Sequence, residues 1–496
     1  MIRLIPRFPR ALRRFAAGFL VLVLTAHAAP AAAQMDFLRD LILPESQEGD
    51  LARQEHPRIL ESFGGEYDNP ELHRYLQSVT DFLGAVSDRP DIKYRLTILN
   101  SPVVNAFALP AGYLYVTRGL LALADTEAQV AGVIAHEIGH VTARHTAERY
   151  SRTVVAQGII GLLGAATQGT SMAGLEELAA PAALIALQGY SREHEHEADT
   201  LAIRAMSRAG YDPRAMAEFL EKMEANARLQ SALAGQGEQS EQADLFSTHP
   251  RTADRVRKTV AEAGIAYVQE PMTAREIYLG KIDGMLYGDD PAQGFVRGRV
   301  FAHPGLGLRY EVPEGFGLIN GARQVVAQGP NGAAVIFDAA PERFGGQPMD
   351  YLTAVWARDV TLANRETLDV NGMSAATGTV RIAQQGQEAD LRLVAIRKDE
   401  TIYRFLFVSP PQLTATLSPG FQRTLYSFRD LNREERRSLR PRYLEVETAE
   451  QNASSDRLSR ALPYADAREE RFRVLNGLAP GQDVPRGSLF KTVIER

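Results

Sequence analysis

Hydrophobic residues recur with helical spacing in the first half of the chain and with strand spacing in much of the second half. The clearest helix starts at Thr126-Glu127-Ala128-Gln129, which has the residue types of a capping box. Its apolar positions, three and four residues apart, are Val130, Val133, Ile134, Ile138 and Val141. This pattern predicts a buried amphipathic helix.

Other segments of the first half alternate between helical and extended patterns. The predicted helices cover 70–87, 119–124, 191–209, 213–229 and, after His249-Pro250, a stretch to about 262. The predicted strands cover 93–99, 103–108 and 113–117. Leu109-Pro110-Ala111-Gly112 joins the last two strands, and we expect a type I turn with Ala111 at its third position. Residues 34–68 are charged and poorly patterned, so no element is predicted there.

Beyond about residue 270 the signals are mostly those of strands. Two hairpins are predicted, one around Asn331-Gly332 and one around Lys398-Asp399-Glu400. Phe421, Leu425 and Phe428 mark one helix. This region contains no catalytic motif that we can identify, and we expect it to form an α+β domain.

Composition narrows the chemistry. The chain is 45% hydrophobic and 23% charged, as globular proteins are, and its net charge of -6 gives no indication of nucleic-acid binding. It has no cysteine, which excludes disulfides, thiol catalysis and thiolate metal ligands. Any metal site must therefore be built from histidine and carboxylate side chains.

The N-terminus has the features of an export signal. Five arginines precede an apolar stretch at 15–29, and Ala31-Ala32-Ala33 offers a cleavage site before Gln34. We expect a cleaved signal peptide and a periplasmic protein; a retained anchor helix is the alternative, and Arg13-Arg14 leaves twin-arginine export open. Residues 153–189 are apolar, but polar residues interrupt them below spanning length. We expect helices there that pack near the active site and touch a membrane at most peripherally.

The candidate chemistry lies in the best-patterned helix. His136-Glu137-Ile138-Gly139-His140 matches H-E-x-x-H, in which two imidazoles four residues apart share a helical face and can hold zinc. Glu137 would then act on the metal-bound water. The alternative is a core helix with two hydrogen-bonded histidines, which does not explain why a glutamate and both histidines lie so close to the apolar stripe.

A third ligand is needed, and the segment 191–199 is by far the richest source. It opens a helix, so Glu195 and Asp199 share a face. His194 and His196 lie off that face and are expected to be exposed, as are Glu193 and Glu197. His145 lies five residues after His140, which is wrong for the same helical face, so a structural role is expected.

These motifs resemble the zinc metallopeptidases of the HtpX and BepA kind, relatives of the prenyl-protein (CAAX) protease. The resemblance covers residues 50–265 and is carried by H-E-x-x-H and by a later helix with E-x-x-x-D. Four further stretches agree with it: Asn105-Ala106-Phe107-Ala108-Leu109-Pro110 with Gly112-Tyr113, Val116-Thr117-Arg118-Gly119-Leu120, Ser191-Arg192 with Ala198, and His249-Pro250 with Arg255.

The resemblance implies roles for individual residues. It implies that His136, His140 and Glu195 bind one zinc ion per chain and that Glu137 is the general base. Asp199 would hold a ligand imidazole in its correct tautomer.

Two later residues match the family's His-Pro motif. His249 and Arg255 are candidates to stabilise the oxyanion during catalysis. His249 has a second candidate role, as a fourth zinc ligand in a closed, self-inhibited state. The polar segment 230–244 just before it is expected to give this region mobility.

We therefore predict a multidomain protein. A signal peptide at 1–33 precedes a mainly α-helical (α+β) metallopeptidase domain of the gluzincin type at 34–268. A strand-rich α+β domain follows at 269–440. Residues 441–496 are expected to form a small module that resembles a decayed LysM repeat, although the usual Gly-Asp-Thr start is absent there.

The expected function is that of a periplasmic zinc endopeptidase for unfolded or misassembled envelope proteins. A substrate could add to the edge strand formed by Asn105, Ala106, Phe107 and Ala108. Outer-membrane assembly machinery and peptidoglycan are candidate partners of the C-terminal domains. The alternative is a chaperone-like assembly factor with a largely latent zinc site; intact Glu137 favours the peptidase.

Overall fold

Helices and a small mixed sheet pack together in the first half of the protein. The computed structural model describes residues 43–151, 189–233, 261, 270–384 and 387–496. Seven helices of this half are described over their full length: α1 (Glu45–Ser62), α2 (Pro70–Val86), α3 (Arg118–Leu123), α4 (Glu127–Thr142), α5 (Arg192–Arg208), α6 (Arg214–Leu233) and α7 (Arg275–Ile282). Strands β1 (Arg95–Leu99), β2 (Ala106–Leu109) and β3 (Tyr113–Thr117) form a sheet in the order β1-β3-β2. β1 runs parallel to β3, and β2 runs antiparallel to it.

Most predicted elements of this half are confirmed. Asn69 caps α2 by accepting a hydrogen bond from the Leu72 amide at 3.0 Å, and Ser191 caps α5 in the same way at 3.2 Å. Helix α6 continues to Leu233 rather than ending at 229, so the first residues of the predicted polar segment are helical. The predicted signal peptide at 1–33 and almost all of 153–189 lie outside the described residues. Within the described ranges, no helix is both long and apolar enough to cross a membrane.

Helix α1 was not predicted, because charged residues occupy its buried face. Glu48 and Glu55 are buried beside Leu51 and Ile59, so the apolar period is broken. Glu48 accepts two hydrogen bonds from the Arg144 guanidinium, at 2.7 and 2.9 Å, which satisfies its buried carboxylate. An ion pair thus takes the place of apolar contacts that a pattern search would detect.

The predicted type I turn between β2 and β3 is wrong. Ala111 has φ of 59°, in the left-handed region, and Gly112 follows with φ of 82°. Leu109 pairs with Tyr113, so only three residues connect the strands, and such short hairpin connections need positive φ. Position 112 is also crowded, since a Cβ there would lie 2.8 Å from a methyl group of Ile92.

The second half is built on two antiparallel sheets. Their strands are β5 (Phe295–Arg297), β6 (Val300–His303), β7 (Leu308–Glu311), β8 (Gly317–Asn320), β9 (Gln324–Gln328), β10 (Ala334–Ala339), β11 (Ala363–Val370), β12 (Met373–Gln384), β13 (Gln387–Lys398), β14 (Thr401–Ser409) and β15 (Arg429–Asp430). The larger sheet has seven strands in the order β11-β12-β13-β14-β10-β9-β8, and the smaller has the order β15-β7-β6-β5. Three helices accompany them: α8 (Pro348–Tyr351), α9 (Thr414–Ser427) and α10 (Arg433–Ser438). Both predicted hairpins are confirmed, with Asn331 and Asp399 at positive φ in their turns.

Side chains alternate between the two faces of the seven-stranded sheet along its long strands, and both faces are buried. On β13, Val394 and Ile396 join a core shared with the four-stranded sheet and α9, while Leu393 and Ala395 face the opposite way. The second face is covered by α8 and the residues after it, including Trp356. A strand-rich α+β region is therefore confirmed.

The tail packs on the helical half of the molecule. Its elements are β16 (Arg442–Thr448), β17 (Ala453–Ser454), α11 (Ser455–Ser459), α12 (Arg468–Asn476), β18 (Asp483–Val484) and β19 (Leu489–Glu495). β16 pairs with β19 and with the short strand β4 (Leu286–Tyr287). Phe472 and Phe490 belong to the same hydrophobic cluster as Val130 of α4. The core of the first half thus extends into residues 441–496.

A buried ionic cluster joins the tail to the residue just before the capped start of α4. The Asp125 carboxylate contacts the ammonium groups of Lys222 and Lys491, the latter at 3.0 Å. Lys222 also donates to a tail carbonyl, that of Leu475, at 2.8 Å. Lys491 is fully buried and donates to three carbonyls at the end of α3, those of Ala122, Leu123 and Ala124. Burial alone would raise the pKa of Asp125, but the two ammonium groups lower it to about 2.

Candidate metal centre

Helix α4 carries the H-E-x-x-H motif through the middle of the core. Its cap differs from the predicted capping box in one respect. Thr126 accepts a hydrogen bond from the Gln129 amide at 3.2 Å, but the Gln129 side chain accepts from the Asp125 amide at 2.8 Å instead of reaching back to Thr126. Every residue from Glu127 to Val141 is buried. The polar residues of the motif are therefore held in a low-dielectric environment.

Helix α5 crosses α4 in close contact at Gly139. A Cβ at this position would lie 2.9 Å from the Ala198 carbonyl oxygen and 3.2 Å from the Ala198 Cα, so only glycine allows this approach. The contact places Glu195 and Asp199, one turn apart on α5, against the two histidines of α4. The glycine inside the motif thus sets the distance between the two helices.

The three expected zinc ligands meet at one point. His136 Nε2 lies 2.8 Å from His140 Nε2, and Glu195 carboxylate oxygens lie 3.8 Å from the first and 3.3 Å from the second. All three side chains are fully buried. Among the described residues they form the one group of histidine and acidic side chains whose ligand atoms converge closely enough to hold a metal ion.

The donor atoms at this point suit a cation. His136 Nδ1 lies 3.0 Å from the Asp199 carboxylate, a contact that favours the tautomer with the proton on Nδ1 and the lone pair on Nε2. His140 Nε2 and the Glu195 carboxylate direct further lone pairs toward the same place. Two nitrogens and one carboxylate match the donor set of catalytic zinc sites, which keep a further position for water.

His140 is held by aromatic neighbours that its sequence position did not suggest. The His140 ring stacks on the Tyr190 ring, with 3.8 Å between the ring centroids and 16° between the ring planes. The Arg149 guanidinium lies 4.0 Å from the centroid of the same Tyr190 ring. His140 Nδ1 lies 3.1 Å from Nδ1 of His145. His145 therefore touches a candidate ligand directly, although helical spacing places it on another face. The reason is that α4 ends at Thr142 and Arg144, at φ of 62°, reverses the chain.

The prediction that His194 is exposed is wrong. Its ring stacks on His145 with centroids 4.1 Å apart, and its Nε2 lies 3.2 Å from a Glu148 oxygen. His196 and Glu193 are exposed as predicted, and Glu197 is exposed but lies 3.3 Å from His145 Nε2. Burial and the neighbouring His194 lower the pKa of His145, which keeps its imidazole neutral at neutral pH.

Glu137 lies beside the first histidine and is almost fully buried, with 1% of its surface exposed. It is part of a charged environment that extends to Tyr190. Burial raises the pKa of the Tyr190 hydroxyl, with smaller contributions from Glu137 and Glu195, while Arg149 opposes them. Because Glu137 follows His136 directly, its carboxylate does not share the helical face of the two histidines. It can therefore transfer protons at the site without being a ligand of the same ion.

The predicted substrate strand corresponds to β2 and the residue before it. Among the described residues, β2 lies at the edge of its sheet, with β3 as its neighbour, and it packs against α4. Asn105, Ala106, Phe107 and Ala108 are all buried. The Asn105 amide donates to the Thr117 hydroxyl at 3.0 Å. In the described part of the chain, neither polar atom of the Asn105 side chain has a hydrogen-bond partner.

His249 and Arg255 lie outside the described residues, so their place relative to the metal centre remains a prediction.

Comparison with known proteins agrees with this geometry. The family model described as peptidase family M48 matches residues 66–263. The mitochondrial metalloendopeptidase OMA1 of Schizosaccharomyces pombe is 30% identical over 211 residues, 42% of this chain and 58% of that protein. The beta-barrel assembly-enhancing protease of Escherichia coli is 29% identical over 220 residues, 43% of each chain. The OMA1 of Arabidopsis thaliana is 33% identical over 204 residues, 41% of this chain and 38% of that protein. The match thus spans about half the length of these relatives and lies in the half of this chain that carries the metal centre.

Proposed function

We propose that the protein is a zinc-dependent endopeptidase, on the premise that residues 66–263 match the model of peptidase family M48. The observation that carries the proposal is the buried convergence of His136, His140 and Glu195 with Glu137 beside them. A binding protein has no use for a general base next to a metal site. The family match covers residues 66–263, and we propose the peptidase activity for the whole protein.

The residues divide the work of hydrolysis between them. Zinc, when bound by the two histidines and Glu195, supplies Lewis acidity toward a water molecule and the scissile carbonyl. Glu137 accepts a proton from the attacking water and passes it to the nitrogen of the leaving amine. Asp199, through its 3.0 Å contact with His136 Nδ1, would hold His136 in the tautomer whose Nε2 lone pair can bind a metal ion.

We propose that His249 and Arg255 complete the site, as their match to the family's His-Pro motif implies. Either residue could donate a hydrogen bond to the oxyanion of the tetrahedral intermediate. His249 could instead close the site as a fourth metal ligand. The two roles predict opposite effects of His249→Ala on basal cleavage, which falls in the first case and rises in the second.

An extended polypeptide is the substrate form that fits the sheet. Among the described residues β2 pairs with β3 on one side, and its other edge is where we propose that a substrate main chain adds, with the groups that bury the strand moving aside. Such main-chain pairing reads few side chains. The buried side-chain amide of Asn105, the residue just before β2, adds polar groups suited to a peptide backbone. We therefore propose unfolded or misassembled proteins of the cell envelope as substrates, and the periplasm as the location. The N-terminal export pattern supports this location.

The direct test is degradation of an unfolded protein such as casein by the purified full chain. We expect cleavage that a chelator abolishes and that added zinc restores, together with one zinc per chain by metal analysis. A folded, zinc-loaded protein that prevents aggregation of unfolded proteins but never cleaves them would contradict the proposal and identify an assembly factor instead.

A further inference from the structure

We propose that His145 is a positioning residue that orients His140 through a hydrogen-bonded relay ending at Glu197. The inference rests on the proposed zinc site and adds a residue to it. His145 is buried, with 3% of its surface exposed, and follows α4 at the point where the chain turns back. Its contacts with His140 on one side and Glu197 on the other support this role.

The two histidines of the motif have different outer partners. His136 Nδ1 faces a carboxylate, that of Asp199, at 3.0 Å. His140 Nδ1 faces a second imidazole, that of His145, at 3.1 Å. The carboxylate on this side is one step further away, because Glu197 Oε2 lies 3.3 Å from His145 Nε2. Each ligand histidine thus leads to a carboxylate of α5, one directly and one through an imidazole.

One proton arrangement satisfies every contact of the relay. If His140 Nε2 binds the metal, its proton is on Nδ1 and is donated to His145 Nδ1. His145 must then carry its own proton on Nε2, where it is donated to Glu197. The opposite tautomer of His145 would bring two N–H groups face to face at 3.1 Å. The geometry therefore selects one tautomer for each ring.

The surroundings of His145 fix its orientation. Its ring stacks on His194 with 15° between the planes, and His194 contacts Glu148 at 3.2 Å. Glu148 and His194 belong to the helical segment after α4 and to α5, respectively. The His145 ring thus lies between His140 of α4, which its Nδ1 contacts, and His194 of α5, on which it stacks. Glu197, whose side chain is 62% exposed, ends the relay at the protein surface.

Loss of such an outer partner typically weakens metal binding about 10–100-fold. We expect this loss for His145→Leu, which keeps much of the side-chain volume but has no acceptor. His145→Gln should retain more of the affinity, since its amide oxygen can accept from His140 and its amide nitrogen can donate to Glu197. His196→Leu, an exposed histidine on the same helix as the end of the relay, is the matched control and should bind zinc as the wild type does.

The experiment is a zinc competition titration of the full-length variants against a chromophoric chelator, with no substrate present. Circular dichroism of the metal-free proteins checks that they are folded. Weaker binding by His145→Leu, with partial recovery in His145→Gln, supports the relay. Wild-type affinity in a folded His145→Leu protein overturns it, as does an equal loss in both variants, because that result indicates packing alone.

Two further arms keep the test decisive. If His145→Leu does not fold, Glu197→Ala decides the question, because this exposed change removes the acceptor at the end of the relay and weakens zinc binding only if the relay exists. Failure of the proposed function is recognised separately, because the wild-type protein itself would then bind no zinc or cleave no unfolded substrate.

Discussion

Asp125→Asn tests how much the buried ionic cluster of Asp125, Lys222 and Lys491 stabilises the packing of the tail against the residues that precede α4. The substitution keeps the shape of the side chain but removes its charge. Lys222 and Lys491 would then be left buried side by side, without the carboxylate that both contact. Because Lys491 belongs to the tail and Asp125 precedes the α4 cap, the change acts on the junction between them.

The cost in unfolding free energy follows from the pKa of Asp125 and from buried ion pairs in other proteins. The two ammonium groups lower the pKa of Asp125 from an ordinary 3.8 to about 2, which at 1.36 kcal/mol per pKa unit is about 2–3 kcal/mol of stability at neutral pH. Removing one partner of a buried ion pair costs about 3–5 kcal/mol in other proteins. We therefore expect Asp125→Asn to lower the free energy of unfolding by about 3 kcal/mol at pH 7.

The pH dependence follows from the sign of the shift. A carboxyl whose pKa is depressed by folding contributes stability above its unfolded pKa and loses that contribution as the pH falls through its folded pKa. For Asp125 this window runs from about pH 4 down to about pH 2. The stability difference between wild type and Asp125→Asn should therefore shrink as the pH falls below about 4.

The assay is denaturant unfolding followed by circular dichroism at several pH values. Asp50→Asn is the control, since Asp50 has 78% of its side chain exposed and pairs with the exposed Arg53. Its effect should stay within about 0.5 kcal/mol. The reasoning is refuted if Asp125→Asn costs no more than Asp50→Asn, or if its cost at pH 2 equals its cost at pH 7.

Three further predictions concern the turn and the metal centre. Ala111→Gly should raise the free energy of unfolding by about 0.5–1 kcal/mol, because it relieves a left-handed alanine at some cost in chain entropy; an unfolding titration that shows a loss contradicts this. Gly139→Ala should weaken zinc binding in a calorimetric titration, because the added Cβ would push α5 away from α4. Gly280→Ala is the control, since the space around Gly280 is open, and it should bind zinc as the wild type does. Equal zinc affinities of the two variants would contradict the packing argument. Glu195→Ala should lose zinc during dialysis while Glu193→Ala retains it, and full occupancy in the Glu195 variant would remove it as a ligand.

The features predicted correctly from the sequence are those that depend on residues close together in the chain. The apolar period of α4, its Thr126 cap and the paired Glu195 and Asp199 all follow from helical spacing, and the structure brings them together. The Asn331 hairpin follows from turn chemistry in the same way. These features depend on contacts that are local in the chain or on a motif whose geometry one helix fixes.

Features that depend on contacts distant in sequence were missed. Glu48 and Lys491 are charged residues that a pattern search places at the surface, yet both are buried against partners far along the chain. His145 reaches His140 only because the helix ends between them and the chain reverses at Arg144. Spacing rules assume that an element continues, so they cannot anticipate such a reversal.

The proposed mechanism depends most directly on Glu137. Glu137→Gln keeps the size of the side chain but cannot take a proton from water. The decisive measurement compares wild type and this variant for zinc content, folding and rate of cleavage of an unfolded protein. We expect equal zinc and equal stability, with cleavage reduced by about 10²–10⁴-fold. Wild-type turnover by a zinc-loaded Glu137→Gln protein would contradict the account.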